Sequence, residues 1–266
     1  MVVYLLLTKK LLNIINKISP VLAIALILTV WQILSLTGIV PKFMLPSPVD
    51  VLLAFIGDFP LLMNHAKTTL MEAFLGLTIG TAFGFVIAVI MDRYPVAYKS
   101  IYPILVLTQT VPTVAIAPLL VLWLGYGILP KITLIVITTF FPIAIGLLDG
   151  FRSADPDAIN LLKAMGANRA QCFLHIKLPS SMSHFFAGLR ISVSYSVVGA
   201  VVSEWLGGFT GLGVYMTRVR KSYSFDKMFA VIFFISLISL LLMFLTTKLK
   251  DAVMPWDKKK NKNEIN

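Results

Sequence analysis

The stretch from Phe185 to Glu204, FFAGLRISVSYSVVGAVVSE, decides how many times this chain crosses a bilayer. Apart from Arg190 it is uncharged until Glu204, and the clean part, Ile191 to Ser203, holds only 13 residues. A helix needs roughly 20 apolar residues to cross about 30 Å of hydrocarbon. The stretch therefore spans only if it begins near Phe185 and Arg190 snorkels to one interface. Five other uncharged runs are plainer: Ile18 to Val40, Ala73 to Met91, Ile101 to Leu124, Ile132 to Leu148 and Met228 to Thr247. Charge sidedness settles the weak one. With six spans and the N-terminus inside, the inner segments hold Lys9, Lys10, Lys17, Arg93, Lys99, Arg152, Lys163, Arg169, Lys177, Arg190 and lysines 248, 250, 258, 259, 260 and 262, which is 16 of 23 basic residues. Without the fifth span the lysine-rich tail falls outside, against the positive-inside bias. The expected fold is an all-α membrane protein of six transmembrane helices with both termini cytoplasmic.

Composition agrees. A chain of 266 residues that is 58% hydrophobic and 13% charged has too little polar surface to cover a soluble globule. The first run is longer than the roughly 7–15 residues of a secretory h-region, and no small-x-small cleavage pattern follows it, so it reads as a retained helix. The net charge of +11 is scattered over short flanking loops and a tail, which leaves no basic patch for nucleic acid. A single cysteine, Cys172, allows no internal disulfide and no cysteine-based zinc site.

Two segments outside the membrane are long. From Pro41 to Leu70 runs a connector that opens Pro41-Lys42-Phe43-Met44-Leu45-Pro46-Ser47-Pro48, whose prolines predict extended and turn geometry on the outer side. From Asp149 to Arg190 runs a cytoplasmic segment with strong local signals. Asp155 is a good N-cap, Pro156 suits the first helical position and Asp157 complements the positive end of the dipole. Ala158, Leu161, Leu162 and Met165 follow at i, i+3, i+4 and i+7 as a narrow apolar stripe, and Gly166 can close the helix in a left-handed conformation. A second helix is expected over Arg169 to Leu178 after Asn168, stopping at Pro179. An amphipathic helix of this kind lies on the membrane, packs on its own bundle, or docks into another protein. No internal repeat is evident, and Asp257 to Asn266 reads as a disordered tail.

At this segment the sequence resembles the EAA loop of bacterial binding-protein-dependent ABC importer permeases. That pattern has Glu-Ala-Ala, a Gly six positions after the Glu, and Ile-x-Leu-Pro beginning ten positions later. Gly166 is followed at that distance by Ile176-Lys177-Leu178-Pro179, whereas the glutamate position holds Asn160 and the alanines are Leu161 and Leu162. The Leu45-Pro46-Ser47-Pro48 turn, Thr69-Leu70 at the start of span two, the Gly207-Gly208-Phe209-Thr210-Gly211-Leu212-Gly213 turn and Pro255-Trp256 are similar to the nitrate, sulfonate and taurine permease family. Within it, QTVPTVAIAPLLVLWLGYG from Gln109 and FPIAIGLLDGFR from Phe141 resemble the branch that imports pyrimidine precursors of thiamine.

The resemblance implies a six-helix type I ABC importer permease bundle in the bacterial inner membrane. It implies a homodimer on two cytosolic ATPase subunits, fed from outside by a substrate-binding protein. ATP and Mg would sit on the partner ATPase and no cofactor on this chain. The sequence has no G-x-x-x-x-G-K-[ST] phosphate loop and no Gly-Lys pair, so ATP must be hydrolysed elsewhere. By the same resemblance, residues 1–68 form an N-terminal tail, first helix and outer connector. Residues 69–250 form the permease domain with its coupling loop at 149–190, and residues 251–266 the cytoplasmic tail. Coupling is expected through Ala158, Leu161, Leu162, Met165, Gly166, Ile176, Leu178 and Pro179. ATPase closure would pull on this segment and open a cavity between spans three and five by alternating access.

Span three carries Pro103, Pro112 and Pro118, each of which removes a backbone hydrogen bond and leaves carbonyls needing partners in protein or a watery cavity. Thr108, Gln109, Thr110 and Thr113 lie there too. Either this helix lines the pathway, or the prolines shape packing and the threonines bond within their own helix. Ser194 and Tyr195 belong to a span five whose polar content is unusual for a lipid-facing helix; either it lines the pathway, or its serines are small residues that allow close helix packing. Glu72 and Glu204 are expected near the outer interface, where water solvates them, with Glu204 a candidate for the outer gate or the binding-protein contact. Gly125-Tyr126-Gly127 is similar to a potassium-filter Gly-Tyr-Gly but lacks the preceding Thr-Val and follows what reads as a full-length span, which disfavours a channel. His65, His175 and His184 read as interfacial residues without metalloprotease spacing. A channel, a secondary transporter and a membrane enzyme remain the alternatives, none of which needs an ATPase partner.

Overall fold

A computed structural model describes residues 2–38, 40–41 and 43–255. The expected contacts or disorder of Lys42, Trp256 and the lysines at 258–262 lie outside the described residues. No strand occurs among the described residues. The helices are α1 (Val2–Leu36), α2 (Pro48–Gly57), α3 (Phe59–Arg93), α4 (Pro95–Thr110), α5 (Thr113–Leu124), α6 (Ile128–Arg152), α7 (Pro156–Ala164), α8 (Arg169–Cys172), α9 (Leu178–Gly207), α10 (Leu212–Lys221) and α11 (Phe225–Val253), with a π turn, Phe173–Lys177, joining α8 to α9. Among the described residues five stretches are long and apolar enough to cross a membrane: Ile18–Leu36, α3, α6, Arg169–Gly207 and α11. Taken as one span, α4 and α5 make a sixth. The stretch from Phe185 to Glu204 lies wholly inside α9, which starts earlier than its charge pattern predicts because Leu178–Arg190 is helical as well.

The described residues form two compact units, one of those up to 59 with 218–232 and the other of 60–217 with 233–255. In the first, Ser35 Oγ and Trp31 Nε1 donate to the carbonyls of Leu45 and Pro46, each at 3.0 Å. Lys227 pairs with Asp58 at 2.8 Å. Up to Ser47 the connector takes the expected turn and extended geometry, with the Met44 N–H bonded to the Pro41 carbonyl at 2.8 Å, and only beyond Ser47 is the long irregular connector replaced by helix. Ser47 caps α2 in a reciprocal box with Asp50, and Pro48 takes the first helical position, where its missing N–H is not needed. The helix α3 then begins at Phe59, ten residues before the predicted start of span two.

In the second unit α6 packs along α9 and α3. Ile143, Leu147 and Phe151 are buried with Ala88, and Phe173 and Leu178 pack against them. A row of glycines on α3, Gly76, Gly80 and Gly84, faces Ile135, Thr139 and Phe140 of α6. A Cβ on Gly84 would lie 2.7 Å from the Phe140 carbonyl oxygen, so this crossing admits no larger residue without moving the helices.

The segment after α6 forms as its signals predict up to Phe173. The Asp155 side chain accepts the Asp157 N–H at 2.9 Å. Gly166 takes φ +90°. Asn168 and Gln171 cap α8 reciprocally at 2.7 and 2.9 Å. The predicted stop at Pro179 does not occur. A π turn precedes the proline, with the Leu178 N–H bonded to the Phe173 carbonyl five residues back, and Pro179 enters the first turn of α9. The wider turn relieves the clash that a proline ring meets inside a regular helix.

Candidate functional site

Three features of the second unit bear on function. The first is the break between α4 and α5, where the axis turns by 101°. Span three is therefore not one straight helix. Val111, which precedes a proline, adopts extended backbone (φ −84°, ψ 123°), as the Pro112 ring requires, and the Pro112 carbonyl starts the next helix by accepting from the Ala115 N–H at 2.9 Å. Thr108 and Thr110 Oγ1 donate back to the Leu105 and Leu107 carbonyls at 2.6 and 2.8 Å. A cavity of about 290 Å³ lies at the break. Thr108, Gln109 and Thr113 line it from one side, Thr138 of α6 and Tyr195 of α9 from the other. Thr110, Ser194 and Glu204 lie outside this lining. The turn after α5 is glycine-based, with Gly125 at φ +76° and Gly127 at φ +136° between two helices, and it follows a helix of 12 residues rather than a full-length span.

The second feature is buried at the end of the bundle that carries the glycine turn before α10. Glu204 is 1% exposed and Glu72 3%, so the expectation that water solvates them is wrong. Thr69 Oγ1 donates to Glu204 Oε1 at 2.7 Å and accepts from the Leu212 N–H at 2.9 Å. The Gly213 N–H donates to Glu204 Oε2 at 2.6 Å. Glu72 pairs with Lys131 at 2.5 Å, and Lys131 is only 7% exposed. The His65 Nδ1 accepts the Gly211 N–H at 3.0 Å, which places a ring proton on Nε2, and the ring is buried. The sequence did carry a signal for this network: His65, Thr69 and Glu72 fall at i, i+4 and i+7, one polar face of α3. Starting span two at Thr69 cut that face in two. The arrangement holds charge and backbone amides together away from solvent, and no group of three metal-ligating side chains occurs among the described residues.

The third feature is α7, at the opposite end of α6. None of its residues is buried. Leu161 is 64% and Met165 76% exposed, one turn apart, while Ala158 and Leu162 are half-buried. Ile176 and Leu178 are half-buried in the π turn and at the start of α9, and Pro179 is exposed.

Residues 80–255 match the family described as binding-protein-dependent transport system inner membrane component. The chain belongs to this family. The permease is 34% identical over 245 residues to the formylaminopyrimidine transport permease protein ThiX of Halalkalibacterium halodurans, covering 92% of this chain and 98% of that protein. It is 36% identical over 230 residues to a probable ABC transporter permease protein of Haemophilus influenzae, covering 86% of this chain and 94% of the other. Its fold matches a chain of the inward-facing MetNI methionine ABC transporter with a TM-score of 0.64 at 18% identity, over 73% of this chain and 97% of that one. This chain is the multi-pass inner-membrane permease subunit of an ABC importer, and ATP is hydrolysed by a separate subunit. Family membership sets aside the channel, secondary-transporter and enzyme alternatives.

Proposed function

We propose that this permease carries a small neutral heteroaromatic solute of the formylaminopyrimidine kind through the cavity at the α4–α5 break. One observation carries the reading: 34% identity over 92% of the chain to a permease named for that solute. The cavity chemistry supports it. Gln109 offers an amide, Thr108, Thr113 and Thr138 offer hydroxyls, and Tyr195 offers a ring face, with no charged residue in the lining. A sulfonate, taurine or nitrate would bring an anion and find no cation there to meet it.

In this reading the permease is a homodimer with both termini in the cytoplasm. Leu161 and Met165 of each subunit insert into a cytosolic ATPase, which holds ATP and Mg, and Gly166, Ile176, Leu178 and Pro179 transmit its closure to α9. Residues 149–190 act as the coupling loop of a permease domain at 69–250, between the N-terminal region 1–68 and the tail 251–266. The substrate-binding protein delivers from the side of the glycine turn, and Glu204 shapes that end from behind the pathway. The test is ATP-dependent uptake in proteoliposomes containing permease, ATPase and cognate binding protein. Formylaminopyrimidine should accumulate and taurine should neither accumulate nor compete. Transport of taurine or an alkanesulfonate in preference to the pyrimidine would overturn the substrate assignment.

A further inference from the structure

We infer that the α7 end of the permease carries a binding site for a phosphate-bearing anion, fitted best by the headgroup of an anionic phospholipid. A cavity of about 520 Å³ lies there, and three helical elements each turn one face toward it. From α3 come Val89, Asp92 and Arg93, at i, i+3 and i+4. From α7 come Ile159 and Lys163, on the face turned away from Leu161 and Met165. From α8 and the π turn come Arg169, Phe173 and Lys177.

Four cations and one carboxylate therefore meet in one cavity. The carboxylate is already satisfied, since Lys177 Nζ lies 2.7 and 2.8 Å from the two oxygens of Asp92. That pair fixes the floor and leaves Arg93, Lys163 and Arg169 in excess. Among the described residues neither Lys163 nor Arg169 has a carboxylate within ion-pair distance, and Arg93 lies over the ring of Tyr94, 5.9 Å from its centroid. Two guanidinium-bearing residues and a lysine lining one cavity from three elements suit a tetrahedral oxyanion, which accepts from several directions at once.

Shape and place select among phosphates. The cavity is much larger than a bare phosphate requires, and Val89, Ile159 and Phe173 give it an apolar wall suited to the glycerol and first methylenes of a lipid. It opens where α3, a membrane-crossing helix of 35 residues, ends at Arg93, the level at which headgroups lie. Basic pockets between transmembrane helices at the cytoplasmic face hold anionic headgroups by this combination. A bound lipid would tie the end of α3 to the back of α7, leaving the exposed face of α7 for a protein partner.

The test uses the delipidated permease–ATPase complex and titrates phosphatidylglycerol, phosphatidylcholine and inorganic phosphate, read by native mass spectrometry. Phosphatidylglycerol should bind in preference to phosphatidylcholine. Each cation is worth about fivefold, so Lys163→Gln with Arg169→Gln should weaken it roughly 25-fold. Lys163→Arg with Arg169→Lys should keep the site and serves as the control for folding. Inorganic phosphate binding as tightly as the lipid, and lost in the same double variant, would assign the site to a soluble phosphate. Unchanged binding of both ligands in the neutral variant, or no preference for phosphatidylglycerol over phosphatidylcholine in the wild type, would overturn the proposal.

Discussion

Gly211 and Glu204 compete for one volume: a side chain on Gly211 would fall inside the Glu204 carboxylate. The turn before α10 is built around that carboxylate, which takes the Gly213 N–H at 2.6 Å and the Thr69 hydroxyl at 2.7 Å. Gly211 also sits at φ +128°, where an L side chain is strained whatever space it has. Gly211→Ala should therefore cost roughly 2–5 kcal/mol through overpacking and backbone strain. The melting temperature of the purified complex checks this, and a value within a degree of wild type would show that the turn rearranges freely.

The buried pair of Glu72 and Lys131 makes a second prediction. Glu72 Oε2 finds no donor among the described residues, and Lys131 is the cation paired with that carboxylate. Lys131→Met should destabilise by about 3–5 kcal/mol because it strands a buried charge, whereas Glu72→Leu combined with Lys131→Met should recover most of the loss. Additive single-variant effects in that cycle would mean the pair is solvated when the protein is in its membrane.

Much of this was legible in the sequence where a local rule dominates. The α7 helix, its Asp155 cap and its closure at Gly166 follow from capping and glycine chemistry within a dozen residues, and the spans follow from hydropathy and charge sidedness. What escaped depends on distant partners. Glu72 and Lys131 are 59 residues apart, and Glu72 read alone is a solvated charge near the outer interface. Pro112 and Pro179 look equally disruptive on paper, yet one breaks its helix by 101° and the other is carried through by a π turn. The difference lies in the turn before each proline, which residue preferences do not specify.

The broken helix gives a third prediction. Gln109 is exposed at the last turn of α4 and lines the same cavity as Tyr195. If the amide meets the solute, Gln109→Leu should lower uptake at limiting solute roughly 3- to 10-fold, the worth of one hydrogen bond, with insertion and melting temperature unchanged. Tyr195→Ala should lower it further by removing a stacking face. Wild-type uptake kinetics in both variants would move the pathway away from this cavity.

The coupling reading depends most on α7, whose Leu161 and Met165 stand 64% and 76% exposed. If they insert into a groove on a cytosolic ATPase, Leu161→Asp puts an unpaired carboxylate into a desolvated contact. The cost should be about 3 kcal/mol or more, over a hundredfold in affinity. Gly166→Val acts through another route. It leaves the docking face intact, but its β-branched side chain resists φ +90° and so misaims α8 and the π turn that lead into α9. Both variants should lose ATP-dependent uptake, and only Leu161→Asp should lose the ATPase during purification of the membrane complex. In Gly166→Val the ATPase should remain bound and hydrolyse ATP without transport. Retention of the ATPase at wild-type levels in Leu161→Asp would show that this face of α7 meets lipid instead, and force transmission would then have to run through a different surface of the permease.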